Sequence, residues 1–168
     1  SSAASDVYKR QESGVRELVD NAGSLMGEIE LDAERQIMNR FLAELIKPQP
    51  RATYGEMMLR KALDQGAVDT LLISESMRKN SVEIECGACG HTWTASLTRT
   101  EELPECPSCK VGNNSHKELS NTSLINVLSD MAAKSNSEIS FISIDTEEGA
   151  QLAHGFGGLA AILRYPMM

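Results

Sequence analysis

The sequence predicts an α/β protein: an α/β/α sandwich around a central mixed sheet, interrupted by an inserted four-cysteine minidomain. Three observations carry that reading. Segments with apolar residues at 3- and 4-residue steps alternate with short β-branched apolar runs, and such alternation calls for helices on both faces of a sheet. All four cysteines of the 168 residues fall between Cys86 and Cys109, as two CxxC pairs. A hydrophobic fraction of 41% against a charged fraction of 24% is ordinary for a folded chain, long enough for one core and a small appendage.

Residues 1–12 begin SSAAS without an initiator Met and read as artificially appended or interdomain residue, so a fragment of something longer is expected. Val15, Leu18, Val19, Ala22, Leu25, Met26 and Ile29 then mark a first amphipathic helix. A second is expected with Asp32 as N-cap and Ile37, Phe41, Leu42, Leu45 and Ile46 as its apolar face. It must stop near Pro48, which disfavours helical geometry in Lys47. Thr53, with Glu56 three residues on, carries a capping-box signature for a third helix, and Gly66 sits where a C-terminal glycine cap belongs.

The run Ala67–Ser74 (AVDTLLIS) reads as a buried strand. LSNTSLINVLSDMAAKSN restores helical spacing through Leu124, Val127, Leu128 and Met131. Glu138–Ile144 (EISFISI) is a strand; DTEEGAQLAH is a short helix with Asp145 as N-cap and Gly155 at its end; Leu159–Tyr165 (LAAILRY) is the closing strand. The cysteine segment, with its own strand candidates SVEIEC and HTWTASL, breaks this alternation. The expected division is therefore 13–80 and 118–168 for the sandwich and 81–117 for the insertion.

Charge narrows the function. Sixteen basic against 24 acidic residues leave a net −8, which opposes a large phosphate-binding face while leaving room for a local basic patch. Aromatics amount to 4%, too few for a base-stacking surface. No stretch approaches the roughly 18–20 apolar residues of a membrane span, and no secretory leader pattern is found. A cytoplasmic setting, and reduced cysteines, are expected.

The spacing Cys86-x2-Cys89 … Cys106-x2-Cys109 is that of a four-cysteine zinc ribbon. Each CxxC turns as a knuckle presenting two thiolates, with Gly87 and Gly90 easing the first turn and Pro107 stiffening the second. Four thiolates close the shell of Zn2+, whereas a catalytic zinc keeps a position open for water, so the metal reads as structural. His91 is then a surface or turn residue. From Ser81 to Lys117 there are three basic residues (Arg99, Lys110, Lys117) and five acidic ones (Glu83, Glu85, Glu101, Glu102, Glu105), a poor phosphate clamp. Trp93 is expected to pack against the knuckle rather than stack on a base. With the cysteines committed to metal, three histidines and no GxSxG elbow, no enzyme is expected.

The tail GFGGLAAILRY has three readings: a cap and tight turn before an interior strand, a phosphate-cradling loop lacking both GxGxxG and GK[ST], or a partner site with Phe156 protruding and Arg164 and Tyr165 as anchors. GAQLAHGFGGLAAILRY, together with TYGEMMLRKALDQGAVDTLLISE (Thr53–Glu75), resembles the C-terminal domain, domain 3, of class I peptide chain release factors of the archaeal and eukaryotic type. The likeness runs from about Ser13 to Tyr165, and the four cysteines match the archaeal branch, where this minidomain carries zinc. The resemblance implies a domain that docks a translational GTPase of the elongation-factor type and reaches the ribosome through the full-length factor, with no membrane partner and no direct DNA binding. It implies partner contacts through Gly155, Phe156, Gly157, Gly158, Leu159, Ile162, Leu163, Arg164 and Tyr165. LAA at Leu159–Ala161 departs from the glycine pair expected there, leaving the segment stiffer. No GGQ and no NIKS-like decoding motif occurs in the 168 residues, so neither peptide release nor codon reading is expected of this part. Two other readings are a zinc-ribbon RNA-binding module and a domain of a Pelota-type ribosome-rescue factor.

Overall fold

A computed structural model of the chain describes residues 2–112 and 115–167, with side chains from Leu18 onward apart from Asp20. The side chain of Val15 lies outside the described residues. Within them the fold is mixed α/β, with two sheets and four helices.

Helix α1 runs unbroken from Ser2 to Leu45, so the two helices expected in this region are one. Asp32 does not cap; it lies inside the helix and accepts from Arg35 one turn on, at 3.3 Å. A side chain that suits an N-cap cannot break a helix whose flanking residues continue the backbone ladder. Only the C-terminal part of α1 enters the body: Met38 and Phe41 are fully buried, whereas Leu18, Leu25, Met26 and Ile29 are more than half exposed. The helix does end ahead of Pro48, as that proline requires.

Ala52–Tyr54 forms a three-residue edge strand, β1, which corrects the expected helix start at Thr53. Thr53 pairs with Ala161 of the last strand instead. Helix α2 (Glu56–Asp64) starts after Gly55, whose φ of 85° only glycine holds cheaply, and Glu56 turns its carboxylate to Arg60 rather than to the cap. Gly66, at φ 66°, follows the C-cap Gln65 as expected.

β2 (Val68–Ser74) is central in the four-stranded sheet β1-β7-β2-β6. It runs parallel to β6 (Glu138–Ile142) and antiparallel to β7 (Leu159–Leu163), which also pairs antiparallel with β1. Alternate residues of the central strands face opposite layers. Leu71, Ile73, Leu159, Ala161 and Leu163 pack with α2 and α3 (Leu124–Lys134). Leu72, Ala160 and Ile162 pack with α1 and α4 (Glu147–Gly155), against Met38, Phe41 and Leu152. Helices therefore cover both faces, which is why β2 and β7 read as continuous apolar runs. The N-cap of α4 is Thr146 rather than Asp145: its hydroxyl accepts from the Gly149 N–H at 3.0 Å.

The second sheet, β4-β3-β5, is antiparallel throughout and consists of β3 (Asn80–Glu85), β4 (Thr92–Leu97) and β5 (Lys117–Ser123). β5 corrects the helix expected from Leu119: helical geometry starts only at Leu124. KELSNTS exposes six of its seven residues and carries no alternating pattern, so its strand state comes from pairing with β3 alone.

Candidate metal centre and docking surface

The four cysteines converge at the open end of the β4-β3-β5 sheet. Cys86 follows β3 directly, and β3 and β4 hold the first CxxC on the hairpin between them. The two knuckles share one hydrogen-bond pattern. The Cys86 N–H donates to His91 O at 2.8 Å and the Gly90 N–H to Cys86 O at 2.9 Å; the Cys106 N–H donates to Val111 O at 3.1 Å and the Lys110 N–H to Cys106 O at 2.9 Å. Each needs a left-handed residue just after its second cysteine, Gly90 at φ 75° and Lys110 at φ 60°. Gly87 has a different role, because a Cβ there would land on the Ser115 carbonyl oxygen.

All four Sγ atoms lie within 4.8 Å of one another, with Cys86–Cys109 at 3.6 Å and Cys89–Cys106 at 3.7 Å. These are not disulfides. A tetrahedron with Zn–S bonds of about 2.3 Å has edges of about 3.8 Å, close to the Cys86–Cys109 and Cys89–Cys106 separations, so the cluster could hold one soft cation. Cys86 and Cys106 are buried and Cys89 and Cys109 exposed. Amide donors, that of Cys89 foremost and then Ala88, bring the Cys86 thiol down to about 6 against the opposing effect of desolvation. At Cys109 the Val111 N–H acts in the same sense, but desolvation and the three neighbouring thiols outweigh it, and that thiol is pushed up to about 12. Four thiolates at this spacing cannot all ionise without a cation among them. His91 is exposed, its ring stacked 6.0 Å from Trp93, and His116 meets the same indole edge-on at 5.3 Å.

The tail is placed less openly than its sequence implies. Phe156 does not protrude: it caps α4, half-buried, with its ring 5.3 Å from Phe41 and 5.0 Å from Tyr54, both edge-on. Leu159, Ile162 and Leu163 are interior residues of β7. Gly157 and Gly158 take φ of 70° and 79°, the left-handed pair that reverses the chain from α4 into β7, and Gly158 is close to Met77. That is the tight-turn reading. Gly155, Gly157, Arg164 and Tyr165 are exposed. Arg164 donates to the Ser135 and Asn136 carbonyls, both at 3.0 Å, and Tyr165 Oη donates to Gln65 O at 3.1 Å. The tail residues therefore divide, with the buried ones fixing the strand and the exposed ones available to a partner.

Sequence reading missed the surroundings of Phe156. Tyr54, half exposed, touches its ring, and Leu42 and Leu45 of α1 pack on the same cluster while keeping part of their surface. The spacing of Leu42 and Leu45 marked a core face; nothing local showed that the face ends beside a residue more than a hundred positions away.

Comparison with known proteins gives a consistent result. Residues 31–167 match the family model described as eRF1 domain 3. The chain is similar to peptide chain release factor subunit 1 of Thermococcus onnurineus, 40% identical over 168 residues, covering 95% of this chain and 39% of that protein. It thus spans about two fifths of that relative's length. Among solved structures, the C-terminal domain of the peptide chain release factor from Methanosarcina mazei superposes with a TM-score of 0.74 at 36% identity, over 91% of this chain and 94% of that one. Pelota of Archaeoglobus fulgidus shares the fold at 21% identity and a TM-score of 0.52, over 83% of this chain and 31% of that one.

Proposed function

The chain belongs to the eRF1 domain 3 family of release factors, and from that premise we propose that it is an adaptor: it docks a translational GTPase of the elongation-factor type, and through the full-length factor serves stop-codon-dependent peptide release on the ribosome in the cytoplasm. The observation that carries this reading is the family match over residues 31–167, which takes in the GFGG–ILRY tail. Geometry supplies the means. The aromatic group of Phe156, Tyr54 and Phe41 is braced from beneath and open at its rim, and Arg164 and Tyr165 are pinned to backbone carbonyls of Ser135, Asn136 and Gln65, all distant in sequence. A surface already fixed in one conformation loses little side-chain entropy on binding. No GGQ occurs in the 168 residues, which fits an adaptor role for this part. No described helix is long and apolar enough to cross a membrane.

The cysteine centre is assigned to structural Zn2+, held by Cys86, Cys89, Cys106 and Cys109. The donor set supports this: four soft thiolates suit zinc rather than magnesium or calcium, and they leave no position for a reacting water. The metal would hold the two knuckles together and supply no chemistry. The docking body is then 13–79 and 124–168 and the zinc minidomain 80–123, because β5 pairs with β3 and carries the expected boundary at 117 to the end of that strand.

Calorimetric titration of the chain with elongation-factor-type GTPases tests the docking. We expect binding by the native chain and its loss in a Phe156→Ala, Arg164→Ala double variant that keeps its circular dichroism. Binding that survived in a folded double variant would move the site away from the tail, and no binding by either chain would remove the adaptor assignment from this domain alone.

A further inference from the structure

A second site lies at the junction of the two sheets, away from both the cysteines and the tail. The segment joining β2 to β3, the turn after β4 and the N-terminus of α3 enclose a cleft of about 500 Å3. Its lining includes Arg78, Lys79, Arg99, Thr98, Thr100 and Ser123, and no carboxylate side chain. In a chain where 24 acidic residues outnumber 16 basic ones, that is unexpected by composition. Arg35, Arg40, Lys47 and Arg60 each have a carboxylate partner. Among the described residues, Arg78, Lys79 and Arg99 have none within ion-pair distance.

The cleft is also built rather than incidental. Arg78 is held by its own backbone, one guanidinium nitrogen donating to Glu75 O at 2.8 Å and to Met77 O at 2.9 Å, so its remaining N–H groups keep their charge and lose their freedom. Ser123 occupies the N-cap of the 11-residue helix α3 yet makes no capping bond, which leaves its hydroxyl free. Thr98 and Thr100 hydroxyls stand 3.4 Å apart across the turn. Glu101, the next residue of that turn, accepts from the Thr98 N–H at 2.8 Å and is not among the residues that line the cleft. Three unneutralised cations and a set of hydroxyls on one concave surface match the tetrahedral oxygens of a phosphate, and the helix terminus adds a favourable partial charge.

We propose that this junction cleft binds phosphate groups of an RNA backbone, with Lys79 and Arg99 as the main cations and Arg78 as a fixed donor. An RNA strand is favoured over an acidic peptide because every lining residue except the buried Met77 carries a polar or charged group, which leaves no pocket for apolar side chains of a peptide. Aromatics for base stacking are absent from the lining, so recognition would be of backbone and not of sequence. The net charge of the insertion pointed the other way because only Arg99 of the three cations falls within residues 81–117; Arg78 and Lys79 come from the preceding connection. Whether a GTPase docks at the tail does not enter this argument.

The test is fluorescence anisotropy of a short, mixed-sequence single-stranded RNA titrated with the whole chain over a range of salt, with a glutamate-rich peptide and inorganic phosphate as competitors. Three phosphate contacts predict that log K falls with log salt with a slope of about −2. A Lys79→Glu, Arg99→Glu variant is expected to bind at least about tenfold more weakly and to lose about 1.4 of that slope. Lys79→Gln, Arg99→Gln provides a milder second variant, and circular dichroism with bound-metal content checks that each is folded. Unchanged affinity and slope in both folded variants, or no RNA binding by the native chain, would overturn the proposal. Competition by the glutamate-rich peptide stronger than by RNA itself would reassign the cleft to an acidic protein partner. Inorganic phosphate binding as tightly as RNA would make it a free-anion site, and overturn the backbone assignment.

Discussion

The two sheets of this molecule rest on different physics. In the four-stranded sheet, every residue of β7 and nearly every residue of β2 is buried, with helices on both faces supplying two apolar clusters. In the three-stranded sheet, β5 is exposed almost throughout and β4 is at most half-buried; the buried side chains of β3 and its extension are few, Val82, Ile84 and Cys86 among them, and Val82 and Ile84 belong to neither large cluster. A three-stranded sheet with so little covered surface is marginal in water by itself. The comparison teaches where a metal would matter: where apolar burial is insufficient, the proposed cation closing two knuckles would supply the missing stability. The regions are linked, but thinly, through the Leu124 N–H donating to Lys79 O at 3.1 Å and the Ser96 hydroxyl on the Glu56 carboxylate.

The largest expected effect breaks the comparison most directly. Removal of the metal by a chelator, or Cys106→Ser, should unfold the three-stranded sheet while the four-stranded sheet persists, because structural zinc contributes on the order of 10–16 kcal/mol to such small domains. Calorimetry would show loss of one transition and retention of the other. A single transition in which both sheets melt together would refute their independence. The converse substitution acts on the other side. Leu72 is fully buried on the central strand, and Leu72→Ala should destabilise the four-stranded sheet by about 2–5 kcal/mol, read as a lower denaturation midpoint, with metal content unchanged.

A pair of glycines sharpens the contrast with smaller effects. A Cβ at Gly149 would land on the Ser143 carbonyl oxygen, and one at Gly87 on that of Ser115. Each alanine substitution forces a backbone shift, with a cost of about 1–3 kcal/mol. Gly149→Ala should lower the denaturation midpoint of the helical body alone, and Gly87→Ala should weaken metal affinity alone in a chelator competition. Crossed effects would show that the thin link transmits strain.

The smallest expected effect concerns pH. Desolvation holds the Glu34 carboxyl above the usual carboxylate range, although the Ser143 N–H donates to it at 3.1 Å; Glu75, Glu30 and Asp145 add to the rise. Between the ordinary value and the raised one, the folded chain binds the extra proton, so stability falls as pH rises through that window and recovers as pH is lowered. Glu34→Gln should flatten this slope in urea midpoints measured at a series of pH values. An unaltered slope would show that Glu34 is not its source.

Much of this was legible in order along the chain. The two CxxC pairs specified the sulfur cluster, because a knuckle is a local structure whose ligands sit three residues apart. β2 and β7 announced themselves as apolar runs, and Pro48 and Gly66 marked helix ends, since backbone sterics act within a residue or two. Local patterns failed where a partner distant in sequence decided the outcome. Thr53 looked like a cap and became an edge strand because β7 offered it a pairing edge; KELSNTS had no strand pattern and became one against β3; Asp32 looked like a start and was passed over by a continuing helix. Phe156 protrudes in one of the three local readings of the tail, and the fold instead sets it against Phe41 and Tyr54. Composition counted Arg78, Lys79 and Arg99 among an acidic majority, and only the fold set them around one cleft. The sequence determined which segments could be buried and which atoms could hold a metal, because those depend on residue type and short spacing. The tertiary structure decided which surfaces meet, because that depends on geometry between segments that the chain brings together only when folded.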